Sequence, residues 1–313
     1  MGPHRLDTSI GPPLNLDAQT RLLVIAPHPD DESIATGELI QHVRAAGGAA
    51  SILLLTDGDN NPWPQRWLER RLRIGAAERE RWGLRRRGEV GLALGRLGLP
   101  QEAMHALGLP DMGVTRALRA DLLGALRLWA MQLDVFRPNL IVFPALTDRH
   151  PDHSAAHVLT RLAVAQWQGG NPRLLSYLVH GHADDQGALV EIASSTEIHE
   201  NKLAALRQHR SQMALSGRRM HRLADRPEHY REMGGARQSL PWQPSPALRP
   251  WLKLTVADHG GVRSWSWREA PLERGGEGGY LLRLPETEGP RFVKLHMDLP
   301  SPWIFDRWGW CEL

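Results

Sequence analysis

Short apolar runs and longer amphipathic stretches alternate along the first two-thirds of the chain. The runs at 21–27, 50–56 and 139–145 are rich in branched residues and carry few polar ones, as is typical of strands buried on both faces of a parallel sheet. Residues 33–46 and 115–136 place apolar side chains three and four positions apart, which predicts helices. Strands that alternate with helices in this way indicate an α/β fold.

Weaker patterns complete this region. Further strands are predicted at 102–107, 174–179 and 189–193, and further helices at 86–97, 154–168 and 201–214. Residues 216–250 contain many Arg, His, Pro and Gly residues and follow no period, so we expect a long loop or a linker there.

Alternation of apolar and polar residues returns towards the C-terminus. Four short segments separated by Gly and Pro turns have the pattern of strands: 252–256, 265–267, 280–284 and 292–295. They predict a small antiparallel unit. Its tryptophans could form a sugar-stacking face, but tryptophans in such a unit more often fill its core.

The chain is therefore expected to divide into four parts. These are an N-terminal extension at 1–20, a main domain at 21–215, a loop or linker at 216–250 and a small β-rich region at 251–313. A chain of 313 residues is long enough for one large domain with a smaller one attached.

Two clusters of acid and imidazole follow two of the apolar runs. Residues 28–32 are His-Pro-Asp-Asp-Glu, and residues 148–153 are Asp-Arg-His-Pro-Asp-His. Both clusters should lie where a strand ends and a helix begins, and open α/β sheets bind ligands at this carboxyl-end crevice. Adjacent carboxylates repel one another there unless a cation or a hydrogen-bond network offsets them. Solvated turn residues at a helix N-terminus are the alternative, because such positions favour acids. The same pattern occurs after two strands, which favours two clusters that share one cation.

Composition and charge add little to this picture. The formal net charge is +3, which is weak support for an anionic partner. The lone Cys311 rules out an intrachain disulfide and argues against a metal site built from cysteines. Residues 1–20 lack the apolar core of a signal peptide, and no run of about 18 apolar residues occurs. We expect a cytoplasmic protein without a membrane span.

The segment 65–89 has the most unusual composition, because nine arginines alternate there with glutamates and with Trp67 and Trp82. A solvated helix face with Glu–Arg pairs is the favoured interpretation. The alternative is a docking surface for anionic lipid or phosphorylated glycan, which would place the protein peripherally at the inner membrane face. No nucleic-acid motif supports binding to nucleic acid.

The two clusters resemble the paired motifs of a known family. Ala-Pro-His-Pro-Asp-Asp-Glu at 26–32 and His-Pro-Asp-His at 150–153 are similar to those of the LmbE-like or PIG-L-like zinc-dependent de-N-acetylases, relatives of N-acetylglucosaminyl-phosphatidylinositol deacetylase. Segments at 86–89, 109–111 and 177–181 agree with it. The resemblance covers about the first two-thirds of the chain. It implies a Rossmann-like three-layer sandwich with a mostly parallel central sheet, to which the β-rich C-terminal region is a small appendage.

The resemblance also implies a metal centre. It makes His28, Asp31 and His153 the ligands of Zn2+, and zinc in catalytic sites does bind three protein ligands and leave one position open. The spacing agrees, because His28 and Asp31 lie one turn apart at a helix entrance and can face the same point. Two histidines and a carboxylate also suit Fe2+ or Co2+.

Other residues near the clusters are assigned further roles. We expect Asp30 to act as general base. His150, as an imidazolium, would stabilise an oxyanion or act as acid, with Asp152 either orienting it or capping the following helix. Arg86 would bind a substrate hydroxyl or phosphate, and His180 would lie at the rim of the site.

The predicted function is zinc-dependent removal of an acetyl group from an N-acetylated sugar or glycoconjugate. The resemblance implies that reaction, whereas the site chemistry by itself supports only metal-assisted hydrolysis. Three alternatives stay open: a hydrolase of another amide or ester, a non-haem iron oxygenase, and a catalytically idle protein that binds glycans or membranes. The sequence leaves the sugar, the aglycone and the oligomeric state open.

Overall fold

The apolar runs of the sequence form a central sheet in the computed structural model, which describes residues 10–181, 187–275, 279–297 and 305–313. Within those residues the sheet has seven strands: β1 (Arg21–Ala26), β2 (Ala49–Thr56), β3 (Met104–Leu109), β4 (Leu140–Pro144), β5 (Arg173–Tyr177), β6 (Leu189–Glu191) and β7 (His229–Glu232). Their order is β3-β2-β1-β4-β5-β7-β6. All pairings from β3 to β5 are parallel, and β7 runs antiparallel to β5 and β6. The predicted α/β fold with a mostly parallel sheet is confirmed.

Helices cover both faces of this sheet. Those in the described residues are α1 (Asp31–Ala45), α2 (Pro62–Glu69), α3 (Ala76–Arg96), α4 (Val114–Ala120), α5 (Leu122–Phe136), α6 (Pro151–Gln166), α7 (Thr196–Leu206) and α8 (Arg210–Ala224). Apolar residues of α1, α3, α7 and α8 pack on one face, and those of α4, α5 and α6 pack on the other. Among the helices of the described ranges, none is long and apolar enough to cross a bilayer.

Strand β1 is buried on both sides, which explains its unbroken apolar run. Leu22 and Val24 pack into the core shared with α1 and α3, whereas Leu23 and Ile25 pack into the core shared with α4 to α6. Successive side chains of a strand point to opposite faces, so a strand between two helix layers needs apolar residues at every position.

The strand order places the two acid and imidazole clusters side by side. From β1 the chain proceeds to β2 and β3 on one side, and it then returns to add β4 on the other side of β1. β1 and β4 are parallel neighbours, with Leu22 opposite Leu140 and Val24 opposite Val142. Their carboxyl ends therefore open into the same crevice, at the point where the strand order reverses.

Three sequence predictions differ from the structure. The single helix expected at 115–136 is divided at Asp121, whose side chain accepts the backbone N–H of Gly124 and caps α5. The single helix expected at 201–214 is two helices, α7 and α8. The loop or linker expected at 216–250 holds the rest of α8 and the strand β7, since antiparallel pairing with β5 and β6 orders a segment that has no periodic pattern.

The C-terminal region is rich in strands, as predicted: β8 (Leu252–Asp258), β9 (Gly261–Ser266), β10 (Leu272–Arg274), β11 (Tyr280–Leu282), β12 (Phe292–Met297) and β13 (Gly309–Glu312). Four of them form an antiparallel sheet in the order β13-β12-β8-β9, and β10 pairs with β11. Phe292 and Trp310 join the core beneath α5 and α6, and Arg161 of α6 makes two hydrogen bonds to the Glu312 carboxylate. Where the chain divides into domains stays a prediction.

Candidate metal centre

The turn between β1 and α1, residues 27–30, sets the first cluster. Asp30 adopts φ 127°, a backbone conformation that is rare for a residue with a side chain. The backbone N–H of His28 donates to Asp31 Oδ2 over 2.9 Å. Both residues are thereby directed to the same side of the turn.

Glu32 braces this turn from behind. Its carboxylate accepts the backbone N–H of Asp30 at 3.0 Å and the hydroxyl of Ser33 at 2.6 Å. It also lies 2.9 Å from Nε2 of the buried His209, which sequence reasoning did not single out. The unusual backbone at Asp30 is held by these contacts.

Three side-chain atoms from the two clusters converge in the crevice. His28 Nδ1 lies 3.3 Å from His153 Nε2, and Asp31 Oδ2 lies 3.2 Å from His153 Nε2 and 3.5 Å from His28 Nδ1. A tetrahedral site with metal–ligand distances of about 2.0–2.2 Å holds its ligand atoms about 3.3–3.6 Å apart. The triangle of His28, Asp31 and His153 therefore has the dimensions and the donor types of a divalent metal site.

The electrostatics of the cluster also suit a cation. Burial alone would lower the pKa of His153, but the carboxylates of Asp31 and Asp148 outweigh it and raise the pKa to about 10. Burial would likewise raise the pKa of Asp31, but the charges of His153 and His28 hold it well below its usual range. The surroundings thus favour positive charge at this point, and a metal ion can replace the bound protons.

Two further carboxylates orient the histidines. Asp148 Oδ2 lies 3.1 Å from His153 Nδ1, and the Asp148 carboxylate also accepts the backbone N–H groups of His150, Val179 and His180. Metal-binding histidines commonly place such a carboxylate against the other ring nitrogen.

Asp111 plays the same part for His28. Its Oδ1 lies 3.3 Å from His28 Nε2, and its Oδ2 accepts the backbone N–H of Asn60 at 2.9 Å. In the sequence, residues 109–111 stand out only as a segment that resembles the family. An acid directly after a third parallel strand, β3, is the signal that could have drawn attention to it.

Asp30 is buried among groups that restrain its carboxylate. Burial raises its pKa to about 6, against the opposing charge of Arg86. Arg86 Nη2 and Gln212 Nε2 each donate to Asp30 Oδ2 over 3.3 Å. A carboxylate with a pKa close to neutral is suited to exchange a proton at physiological pH.

Arg86 does not present an open guanidinium to the crevice. The residue is 3% exposed and also donates to the backbone carbonyls of Gly58 and Pro29, at 2.6 and 2.7 Å. It ties the loops after β1 and β2 together and positions Asp30. The structure thus gives Arg86 a supporting place where the sequence predicted contact with substrate.

His150 and Asp152 also differ in detail from expectation. His150 caps α6, and its Nδ1 accepts the backbone N–H of Asp152 at 3.2 Å. Burial and the charges of His28 and His153 hold the pKa of His150 far below its ordinary value, so the ring is neutral and not an imidazolium. The Asp152 carboxylate accepts the N–H groups of Met112 and Val114, at 2.8 and 3.0 Å, and lies 3.4 Å from His28 Nε2.

His180 lies beside the cluster, where the sequence placed the rim. Its ring centroid is 4.8 Å from that of His153 and 5.4 Å from that of His150, and its Nδ1 is 3.4 Å from Asp148 Oδ1. The nearby His182 lies outside the described residues. Six of the eight predicted site residues make contacts within one connected cluster of imidazoles and carboxylates. The other two, Arg86 and Asp30, adjoin this cluster through the turn at 27–30.

Residues 23–164 match the family model described as PIG-L, GlcNAc-PI de-N-acetylase. This segment of the chain is a PIG-L family domain. It contains most of β1, all of β2 to β4 and both clusters, so all three atoms of the triangle lie within it. His180, His209 and Gln212, which complete the surroundings of the site, come from the chain beyond the PIG-L match.

Curated relatives are similar over parts of their length. A 1D-myo-inositol 2-acetamido-2-deoxy-alpha-D-glucopyranoside deacetylase from Mycobacterium sp. (strain KMS) is 33% identical over 172 residues, which are 50% of this chain and 54% of that protein. The enzyme of the same name from Mycolicibacterium vanbaalenii is 27% identical over 240 residues, 63% of this chain and 82% of that one. The chain thus spans about half the length of the first relative it matches.

Solved structures share the fold. A deacetylase triple mutant from the teicoplanin biosynthetic pathway superposes with a TM-score of 0.52 at 24% identity, covering 66% of this chain and 88% of its own. A deacetylase–teicoplanin complex gives a TM-score of 0.51 at 19% identity, covering 70% and 100%. At these identities the likeness is one of fold.

Proposed function

We propose that the protein is a metal-dependent hydrolase that removes the acetyl group from an N-acetylated amino sugar or glycoconjugate. The observation that carries this proposal is the triangle formed by His28 Nδ1, Asp31 Oδ2 and His153 Nε2 at the carboxyl ends of β1 and β4. The matched PIG-L segment and the names of the curated relatives, which are deacetylases of a 2-acetamido glucoside of inositol, support the N-acetyl sugar.

His28, Asp31 and His153 would hold the cation, and zinc is the metal that we propose. A set of two imidazoles and one carboxylate is a common catalytic zinc set, although Fe2+ and Co2+ accept it as well. A divalent metal on these ligands supplies Lewis acidity, which lowers the pKa of a coordinated water and polarises an amide carbonyl. Asp148 and Asp111 fix the ring orientations of His153 and His28.

Asp30 is the general base of the proposed reaction. Its carboxylate takes a proton from the attacking water as the new C–O bond forms at the acetyl carbon. The same proton then passes to the amide nitrogen as the C–N bond breaks, so acetate and a free amine leave. A pKa of about 6 supports both transfers, and the bonds from Arg86 and Gln212 keep Oδ2 in place while Oδ1 exchanges the proton.

His150 would stabilise the charge that develops on the carbonyl oxygen. Because its Nδ1 accepts the backbone N–H of Asp152, the ring proton lies on Nε2. A neutral imidazole in a buried site can donate this N–H to an oxyanion. His180, next to His150, is the residue that we propose to contact the sugar.

The test is release of acetate and of free amine from a panel of N-acetyl sugars, which includes 1D-myo-inositol 2-acetamido-2-deoxy-alpha-D-glucopyranoside and simple N-acetylglucosaminides. Metal analysis of the same sample identifies the bound ion. We expect stoichiometric acetate and amine from at least one sugar, and no activity after chelation. Hydrolysis of other amides or esters alone, or uptake of oxygen with a co-substrate, would replace the proposal by one of the alternatives. The cytoplasmic location stays a prediction.

A further inference from the structure

Helix α2 exposes two indoles on one face. Trp63 and Trp67 are 65% and 67% exposed and lie four residues apart, so they are neighbours on the helix surface. Leu72, just beyond the helix, is 88% exposed. Large apolar side chains grouped in this way on a surface mark a place of contact more often than scattered ones do.

The helix that carries them is firmly held. Pro62 and Pro64 lie in its first turn, where proline favours helix, and Asn61 caps it by accepting the N–H of Trp63. Pro64 and Gln65 are buried, and Gln65 Nε2 donates to the carbonyl of Glu78 at 2.7 Å. The indoles are therefore presented on a fixed element, with little conformational entropy to lose on contact.

Positive charge surrounds the indoles. The segment 62–75 contains four arginines and a single acid, Glu69. Arg71 pairs with Glu78 at 3.0 Å, and Glu69 is paired with Arg81 at 2.6 Å. Within the part of the chain that the structure describes, the other three arginines make no ion pair: Arg66, Arg70 and Arg73.

We propose that this surface, the Trp–Arg face formed by Trp63, Arg66, Trp67, Arg70 and Arg73, docks on an anionic lipid bilayer. Indoles favour the boundary between headgroups and acyl chains, and each guanidinium near an anionic surface strengthens binding. Arg66 lies over the Trp63 ring at 4.9 Å, which lets the two groups enter the interface together. In a two-fold dimer built on this face the same arginines would oppose one another, so a second copy of the chain is the poorer partner.

The Trp–Arg face is linked to the metal centre through one short loop. Residues 57–61 lead from β2 into α2, and the backbone N–H of Asn60 donates to Asp111, which contacts His28. Docking through α2 would thus bring the crevice close to the lipid headgroups. Docking itself is independent of the proposed function, whereas delivery of a lipid-linked sugar to the crevice rests on it.

The test is co-sedimentation with vesicles of phosphatidylcholine, alone or mixed with phosphatidylserine. We expect binding to the mixed vesicles that weakens with salt, and much weaker binding to phosphatidylcholine alone. Trp63→Ser with Trp67→Ser should weaken binding at least about tenfold, because both interfacial anchors are lost. Arg66→Gln, Arg70→Gln and Arg73→Gln together should weaken it about 100-fold, at about fivefold for each charge, and remove most of the salt dependence.

Trp251→Ser is the matched control, since Trp251 is 59% exposed and belongs to a different element, in the C-terminal region. It should bind vesicles as the unaltered protein does. Equal binding by the control and by the α2 variants would overturn the proposal, as would absence of binding to anionic vesicles. A dimer that the two indole substitutions convert to monomer would identify the face as a contact between copies instead.

Release of acetate from a water-soluble N-acetyl sugar separates this proposal from the proposed function. The α2 variants should hydrolyse such a substrate at the unaltered rate, because none of the changed residues contacts the metal centre. Vesicle binding without acetate release would contradict the proposed function alone, and acetate release without vesicle binding would contradict docking alone.

Discussion

His28 Nδ1 lies 3.3 Å from His153 Nε2, although 125 residues separate the two histidines in the chain. They meet because β1 and β4 are parallel neighbours and each histidine follows its strand at the same edge of the sheet. Two ring nitrogens can share at most one proton between them, and Asp31 Oδ2 completes the triangle. A cation bound to all three atoms satisfies every one of them.

Substitution of a triangle residue should abolish metal binding. We expect His28→Asn, Asp31→Asn and His153→Asn each to lower the metal content from about one ion per chain to near zero after dialysis, measured by elemental analysis. His157→Asn is the control, because His157 lies one turn along α6 and contacts Phe143 and Phe292. Full metal content in any of the three variants would remove that residue from the ligand set.

Loss of Asp148 should weaken metal binding without abolishing it. Asp148 lies 3.1 Å from His153 Nδ1, and removal of such a supporting carboxylate commonly lowers metal affinity by about 10–100-fold. Competition with a chelator would measure the affinity of Asp148→Asn. Asp57→Asn is the matched control, since Asp57 pairs with Arg87 instead of a histidine. Equal affinities would show that Asp148 does not act through His153.

Asp30→Asn should separate catalysis from metal binding. Asparagine cannot accept a proton at neutral pH, so we expect kcat to fall by about 100- to 10,000-fold. KM and metal content should stay near their original values, because the amide oxygen of asparagine can still accept the hydrogen bonds from Arg86 and Gln212. Steady-state kinetics with the best N-acetyl sugar would check this, and an unaltered kcat would exclude Asp30 as the base.

The sheet and the two clusters could be predicted because their signals are local. Strands β1 and β4 are buried on both faces, so their apolar runs are unbroken, and the polar cluster follows each run within a few residues. Parallel strands then bring the two clusters to one edge. The period of the pattern and the direction of the strands are sufficient to predict where the clusters meet.

The supporting residues could not be predicted, because their roles depend on contacts between distant loops. Arg86 is one of three consecutive arginines, and only the positions of Gly58 and Pro29 select it for burial. Asp152 lies two residues after His150, yet its carboxylate accepts the backbone N–H groups of the loop after β3. Only its backbone N–H bonds to the imidazole of His150. No local pattern distinguishes these arrangements.

Arg86→Gln should impair catalysis through Asp30. Removal of a buried ion-pair partner leaves an unpaired charge, so we expect a loss of about 3–5 kcal/mol in the free energy of unfolding. A displaced Asp30 should also lower kcat by up to about 100-fold, with KM nearly unchanged. Arg85→Gln, the change at the exposed neighbour, should alter neither quantity. A rise in KM without loss of kcat would instead support the prediction from the sequence that Arg86 contacts the substrate.

His157 should make stability depend on pH. Burial, together with the charge of Arg161, lowers its pKa from 6.5 to about 3, while its Nδ1 lies 2.9 Å from the carbonyl of Pro144. Between these two pKa values the unfolded chain binds a proton that the folded protein excludes. This site therefore lowers the free energy of unfolding by about 1.4 kcal/mol for each pH unit below 6.5.

His157→Asn removes this titration but keeps an amide N–H near the position of Nδ1. Urea unfolding of both proteins from neutral pH down to about pH 5 should show the original protein losing stability faster than the variant, by about 2 kcal/mol over that range. Other titrating groups cancel in the comparison, because both proteins share them. A difference in unfolding free energy that stays constant with pH would mean that His157 is protonated in the folded protein as readily as in the unfolded chain.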